Sequence, residues 1–165
     1  MDRFIRAIEF VSIRTGEAIK WIAVAIVCLG TFEVLMRYVF NSPTQWGYES
    51  LLMMGASMYV LSWGYIQEQG AHLRIDILYT HLPPRGKQIV DIVGTIVFFL
   101  PVMGVLNYMS FARMWRAWAI GERSIDTTWY PPLGPLRTAV FLGMLLFTLQ
   151  AIAQLVQNIR RLVED

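Results

Sequence analysis

The chain has 165 residues, enough for one domain, and 56% of them are hydrophobic whereas only 16% are charged. A soluble domain usually carries about 25% charged residues, so this composition argues against a soluble globular protein. The single cysteine, Cys28, excludes an internal disulfide and the paired thiols of a membrane thiol oxidoreductase. The net charge of +2 says little by itself, and we expect no nucleic-acid partner.

The N-terminal segment, about residues 1–18, has an amphipathic pattern. Its apolar side carries Phe4, Ile5, Ala7, Ile8 and Val11, and its polar side carries Asp2, Arg3, Arg6 and Glu9. The pattern predicts an amphipathic helix that lies on the cytoplasmic membrane surface. The alternative is a soluble extension of the first membrane helix. We expect no cleavable signal peptide, because the charged segment before Trp21 is too long and too acidic.

Long uncharged runs indicate an all-α integral membrane protein. The runs are Ser50–Ile66, Ile92–Ala112 and Thr138–Ile159, and a fourth apolar stretch precedes them. A helix needs about 20 apolar residues to cross the hydrocarbon, and helices satisfy their backbone groups internally. We therefore predict a single membrane domain over residues 1–165, with transmembrane helices at about 19–40, 47–67, 88–112 and 136–159.

The distribution of basic residues predicts the orientation. With the N-terminus inside, nine of the 14 Lys and Arg residues fall on the cytoplasmic side, and cytoplasmic segments are enriched in these residues. Both termini are therefore expected in the cytoplasm. The chain would be a multi-pass membrane protein.

Proline and glycine mark the connections. The sequence NSPTQW, Asn41–Trp46, predicts a short turn, and Pro83 and Pro84 predict a second reversal on the cytoplasmic side. Pro101 predicts a kink in the third helix. The segment Gly121–Pro135 is the longest outer loop, and its prolines and glycines favour an ordered, irregular structure.

Ionisable residues inside membrane helices are the first candidates for function, because each costs about 2.5–3.5 kcal/mol at the helix centre. Glu33 and Arg37 are four residues apart in the favourable order for an ion pair, and Glu49 lies one turn into the second helix. All three approach the outer ends of their helices. A structural cluster between helices one and two is favoured over an ion path, since no charge lies near mid-membrane.

Neutral polar and small residues predict contacts between helices. Gln150, Gln154 and Gln157 mark roughly one face of the last helix, where amides commonly hydrogen-bond to neighbouring helices. A polar permeation path is the less favoured alternative. Small residues recur along helices two and three and would let backbones approach closely; they are Gly47, Gly55, Ala56, Gly64, Gly94 and Gly104.

The segment QEQGAHLRIDIL, Gln67–Leu78, concentrates charge after the first uncharged run, Ser50–Ile66. Its histidine, His72, and the only other histidine, His81, fall in the cytoplasmic connection and not inside a helix bundle, which disfavours haem. The spacing of His72, Asp76 and His81 matches no zinc pattern, so we predict no metal site. No phosphate loop, nucleophile elbow or zinc-protease motif is present, and the sequence predicts no enzyme.

The stretch RYVFNSPTQWGYESLLMMGASMYVLSWGYIQEQGAHLRIDIL, Arg37–Leu78, resembles the DctQ-type small membrane subunit of tripartite ATP-independent periplasmic (TRAP) transporters. The matching marks are an arginine that ends helix one, a Trp and a Glu that open helix two, and a His-x-Arg-x-Asp run after it. Size and helix number extend the resemblance over nearly the whole chain. The chain departs from the family at Gly47-Tyr48, where a second acidic residue is frequent before Glu49.

The resemblance implies a non-catalytic scaffold subunit. A periplasmic substrate-binding protein captures a small organic acid, and a large elevator-type membrane subunit carries it inward with sodium. The small subunit pairs with the large one in the lipid membrane and holds no cofactor, since the sodium and substrate sites belong to the large subunit. By this resemblance Trp46 and Glu49 would fix the outer end of helix two, with Arg37 of helix one nearby, and His72, Arg74 and Asp76 would fix its inner end. Glu33, taken from the helix-one ion pair above, joins the outer group as an interface or structural residue. The resemblance also implies a bacterial inner membrane.

Two rival functions remain open on the residues alone. One is a self-sufficient four-helix homodimer that couples transport to protons through Glu33. The other is a membrane anchor for a redox enzyme.

Overall fold

The computed structural model describes residues 2–69 and 84–164. The helices are α1 (Asp2–Tyr38), α2 (Gly47–Glu68), α3 (Pro84–Gly94), α4 (Leu100–Ile120) and α5 (Gly134–Glu164). A π-helical segment, Thr95–Phe99, joins α3 to α4 without a break. Within the two described ranges there is no β-strand, only one antiparallel bridge between Arg123 and Pro132. The predicted all-α class is confirmed for these residues.

Three helical stretches are long and apolar enough to cross a membrane by length and composition: Ile8–Tyr38, Gly86–Ile120 and Gly134–Arg160. They agree with the prediction of an integral membrane protein. Helix α2 has nearly the predicted bounds but is not among the three. Its tyrosines, serines and terminal Gln67 and Glu68 dilute its apolar character. The predicted fourth span is therefore not confirmed by composition, and its place in the membrane stays a prediction.

The helices run alternately up and down. We call the end that holds residues 39–46 and 121–133 the loop end, and the opposite end, which holds the first turns of α1 and the last turns of α5, the terminal end. Helix α2 packs most extensively against α5 and also contacts α1, and α5 contacts every other helix. The closest approach is at Gly143 of α5, where an added Cβ would lie 2.7 Å from the carbonyl carbon of Val60. Only glycine lets these two backbones approach so closely.

The N-terminal segment differs from the prediction. The structure has one continuous helix from Asp2 to Tyr38, with no separate surface helix that ends near residue 18. The cause is packing against the protein: Ile8, Ser12 and Ile19 are buried on one side of α1, and Gly16 lies against the Tyr65 ring. Ile8 of the predicted apolar side is thus buried against the protein, whereas Val11 is 43% exposed.

The third predicted helix also has an unexpected feature. We predicted a kink at Pro101, and the structure places a π-helical segment directly before it, in which the Leu100 N–H donates to the Thr95 carbonyl. Proline lacks the N–H that would continue the α-helical pattern, and a π turn is one way to absorb that loss. The helix then runs on to Ile120 and ends at Gly121, whose φ of 62° is left-handed.

The small residues predicted to line close contacts fall into two sets. Gly47 and Gly64 lie against neighbouring atoms, as predicted. Gly55, Gly94 and Gly104 have no atom within 4 Å of an added Cβ, so they make no close helix contact within the described chain. Of these three, Gly104 is exposed on the outside of the bundle, and Gly94 lines a pocket together with Gln67 and Gln154.

Candidate functional site

Glu33 is the centre of a polar cluster at the loop end. It is buried, with 6% of its surface exposed. Its Oε1 accepts a hydrogen bond from Arg37 Nη2 at 3.2 Å, and its Oε2 accepts one from the Thr44 hydroxyl. The Gly47 N–H in turn donates to Thr44 Oγ1 at 3.1 Å. Both carboxylate oxygens of Glu33 are therefore bound within the chain, as a charge withdrawn from water requires.

The sequence explains why these groups meet. Glu33 and Arg37 lie one helical turn apart on α1, and the tight turn after Tyr38 brings Thr44 back over that turn. Asn41 adopts a positive φ of 50° in this turn. At the start of α2 a Cβ on Gly47 would overlap both Thr44 Oγ1 and the Glu33 carboxylate. Glycine is therefore needed at position 47 to close the cluster.

Trp46 ties the same turn to α1 from the apolar side. Its ring stacks on Phe32, with centroids 6.2 Å apart and an interplanar angle of 26°. Such offset pairs contribute about 0.5–1.5 kcal/mol beyond area burial. Trp46 is 41% exposed, so the free part of its ring lies at the bundle surface.

Glu49 is the second buried carboxylate at the loop end, with 3% of its surface exposed. Its Oε2 accepts a hydrogen bond from the Thr127 hydroxyl in the long loop. Its Oε1 is buried and has no partner among the described residues. Beside it, Thr128 donates to Gln45 Oε1 at 2.7 Å. Two adjacent threonines therefore bind the 121–133 loop to the start of α2.

The long loop is itself ordered by backbone hydrogen bonds. The Ser124 N–H donates to the Pro131 carbonyl and the Leu133 N–H donates to the Glu122 carbonyl, each at 2.9 Å. Arg137 Nη2 lies 3.5 Å from Glu122 Oε1. These bonds make the loop a compact cover over the loop end, consistent with the predicted ordered structure.

A second polar network holds the terminal end together. Gln67 Nε2 donates to Gln154 Oε1 at 2.6 Å, and Gln154 Nε2 donates to the Gln67 carbonyl at 2.5 Å. Ser12 donates to Gln150 at 3.2 Å, and Gln157 donates to Glu9 at 2.9 Å. All three glutamines of α5 thus bond to other helices, as predicted, and Gln154 also lines a pocket shared with Gln67 and Asp91.

The predicted inner group, His72, Arg74 and Asp76, lies outside the described residues. The structure therefore brings together only the outer group: Glu33 pairs with Arg37, while Trp46 and Glu49 lie on the adjoining start of α2. Within residues 2–69 and 84–164, no three His, Cys, Asp or Glu side chains are placed to hold a metal.

Sequence analysis missed the threonines. Thr44 and Thr127 are the hydroxyl partners of the two buried carboxylates, and Thr128 anchors the loop. Only the Thr44-x-x-Gly47 spacing gave a signal, since a hydroxyl three residues before a helix residue is a frequent cap. Nothing in the sequence connects Thr127 to a residue 78 positions away.

These contacts bind three chain segments into one unit at the loop end. A model of the tripartite ATP-independent periplasmic transporters, DctQ component, matches residues 26–161. The chain belongs to the DctQ family. It is thus the small membrane component of a TRAP transporter, a family of transporter components and not of enzymes. A search of curated proteins finds no match.

The DctQ match includes the entire loop-end cluster and the α5 glutamines. Membership of this family implies association with the large membrane subunit and with a substrate-binding protein. The geometry agrees with a component whose polar residues hydrogen-bond to other residues of the same chain. At the loop end both oxygens of Glu33 and one oxygen of Glu49 accept hydrogen bonds from threonine or arginine side chains of this chain.

Proposed function

We propose that this DctQ chain is the non-catalytic scaffold of a sodium-driven TRAP transporter for uptake of a small organic acid. It pairs with a large elevator-type subunit, which holds the sodium and substrate sites. A periplasmic binding protein delivers the acid. The observation that carries the proposal is that Glu33 and Glu49, the buried carboxylates of the described helices, are engaged by groups of this chain at one end of the bundle.

The proposed topology has α2 as the fourth span. Its 22 residues extend about 33 Å at 1.5 Å per residue, which is enough for a hydrocarbon core of about 30 Å. It packs between α1 and α5, two of the candidate spans. The loop end then faces the periplasm, and both termini lie in the cytoplasm of a bacterial inner membrane.

The surface of the bundle suits a scaffold that needs a partner. Gly104 is exposed and has no neighbouring atom within 4 Å of an added Cβ, and large apolar side chains such as Tyr59 and Phe98 are 64% and 71% exposed. Small residues allow close helix packing in lipid, where no hydrophobic force between helices exists. His72, Arg74 and Asp76 are proposed to fix the cytoplasmic end of α2 beside this partner.

Native mass spectrometry of the tagged full chain, extracted gently from its host, tests the pairing. We expect a one-to-one complex with a much larger multi-spanning protein. Reconstitution then tests the role: liposomes with the large subunit, the binding protein and this chain take up an organic acid under a sodium gradient, and liposomes that contain this chain alone do not.

The opposite results would overturn the proposal. They are a homodimer without a large partner, and proton-driven transport by the chain alone that disappears in Glu33→Gln. That variant has a matched control in Arg14→Gln, which removes one member of an exposed ion pair on the same helix. Under the scaffold proposal, both variants leave coupling to sodium unchanged.

A further inference from the structure

Three arginines converge at the loop end of α4 and α5, away from the Glu33 cluster. Arg113 and Arg116 lie one turn apart on α4, and Arg137 lies in the first turn of α5. Together with Ile120 and Glu122 they line one surface pocket. Glu122 is its only acidic residue, so the pocket has an excess of two positive charges.

Arg137 is in an unusual electrostatic position. The N-terminus of a helix already carries a partial positive charge, and the first turn of α5 holds no acidic residue. Glu122 is 3.5 Å from Nη2, but the Nε–H of Arg137 is buried and has no partner within the described chain. A second anion beside the exposed part of this guanidinium would offset the convergence of positive charge.

An apolar groove continues from the same arginines. Arg113 and Arg137 form its rim, and its walls between α4 and α5 are Leu106, Met109, Val140 and Met144. The groove has a volume of about 150 Å³. Both helices belong to candidate membrane spans, so the groove opens toward lipid. Methionine side chains adapt readily to a flexible hydrocarbon chain.

Tryptophans place the arginines at the level of the lipid headgroups. Trp118 is 61% exposed, and its Nε1 donates to Thr138 Oγ1 at 2.9 Å. Trp115 is 68% exposed on the same helix. Tryptophan collects at the membrane–water interface, where its ring is apolar and its N–H finds a polar partner.

We infer that the groove between α4 and α5 binds one anionic phospholipid. Its phosphate lies between Arg113, Arg116 and Arg137, and one acyl chain follows Leu106, Met109, Val140 and Met144. A soluble anion would use the arginines but leave the apolar walls empty. An acidic protein surface would likewise gain nothing from a groove that runs from the headgroup level toward the hydrocarbon.

Native mass spectrometry of the full chain in detergent tests the inference. The added lipids are palmitoyl-oleoyl phosphatidylglycerol and, at equal concentration, the zwitterionic phosphatidylcholine with the same chains. We expect one phosphatidylglycerol to bind at least about tenfold more tightly than phosphatidylcholine, and Arg113→Gln to remove that preference. Arg123→Gln is the matched control, because it removes the same charge from an exposed residue at the same end but outside the groove.

A second variant separates a lipid from a free anion. Met109→Trp fills the groove without changing the charge, and Met109 is 47% exposed, so the fold tolerates the larger ring. We expect it to weaken phosphatidylglycerol binding about tenfold. Equal binding of both lipids, or equal effects of Arg113→Gln and Arg123→Gln, would overturn the inference. So would phosphatidylglycerol binding that Met109→Trp leaves intact and that soluble glycerol 3-phosphate displaces.

Discussion

Thr127→Val removes the hydroxyl that anchors the long loop to α2 by donating to Glu49 and that also accepts a hydrogen bond from the Trp129 N–H at 3.4 Å. Valine has nearly the shape of threonine but cannot donate a hydrogen bond. Glu49 is 3% exposed, the Thr127 hydroxyl is the partner of its Oε2, and its Oε1 already has none. The substitution therefore leaves a buried carboxylate with no hydrogen bond from the described chain.

The magnitude follows from this environment. A hydrogen bond to a charged group contributes about 1.5–3 kcal/mol, and a buried site offers little solvent to replace it. At roughly 2–4 °C of Tm per kcal/mol for a chain of this size, Thr127→Val should lower Tm by roughly 3–12 °C. The control is Thr128→Val, whose exposed hydroxyl bonds to a neutral amide and should cost only about 0.5 kcal/mol.

Tryptophan fluorescence during heating of the purified chain in detergent measures both variants. Repeating Thr127→Val in a Glu49→Gln background completes a double-mutant cycle, and the Tm decrease should be smaller there because the acceptor is neutral. A Thr127→Val protein that melts within about 1 °C of both the wild type and Thr128→Val would refute the assignment of Thr127 as the anchor of Glu49.

Three further outcomes can be measured by the same melting assay. Replacing a helical glycine by alanine stabilises a protein by up to about 1 kcal/mol where space is open, so Gly104→Ala should raise Tm. Gly143→Ala should lower Tm, because the new Cβ would lie 2.7 Å from Val60. A higher Tm for both variants would contradict the α2–α5 packing. Gln154→Leu removes two hydrogen bonds to Gln67 and should cost about 1–3 kcal/mol, and an unchanged Tm would show that the amide pair is not formed. Arg37→Gln should cost under about 1 kcal/mol, since the Arg37 side chain is 49% exposed, and a loss as large as that of Thr127→Val would contradict a half-exposed pair.

The helical class and the Glu33–Arg37 contact could be predicted from the sequence because each depends on residues that are close together along the chain. Uncharged runs are long enough to count, and an i,i+4 pair such as Glu33–Arg37 is visible from spacing alone. The bounds of α2 were close to those predicted because Trp46 and Gly70 flank a segment that contains no proline.

Other features depend on contacts that periodicity does not encode. The pattern of residues 1–18 gives an apolar face but does not say whether lipid or protein covers it, and burial of Ile8 and Ser12 against the bundle decided for a continuous helix. A hydroxyl group in an irregular loop is part of no helical or strand periodicity, so no sequence pattern identifies its partner. The partnership of Thr127 with Glu49 therefore depends on how the loop folds back, which only the tertiary structure specifies.

The two buried carboxylates, Glu33 and Glu49, differ in when their hydrogen-bond partners are synthesised. Thr44 follows Glu33 by 11 residues, so the first helical hairpin contains everything that this carboxylate needs. Thr127 follows Glu49 by 78 residues, beyond α3 and α4. Since the N-terminal part of a chain emerges from the ribosome first, the α1–α2 hairpin can complete one polar contact early and must wait for the other.

This order of synthesis distinguishes a complete chain from an incomplete one. Until the 121–133 loop has been translated and has folded back, Glu49 lacks its hydrogen bond from Thr127 and the loop that covers it, so its carboxylate stays open to water at the start of α2. A chain truncated after α4 would keep this carboxylate open to water, whereas the complete chain buries it to 3% exposure. The hydration of Glu49 therefore distinguishes an incomplete subunit from a complete one.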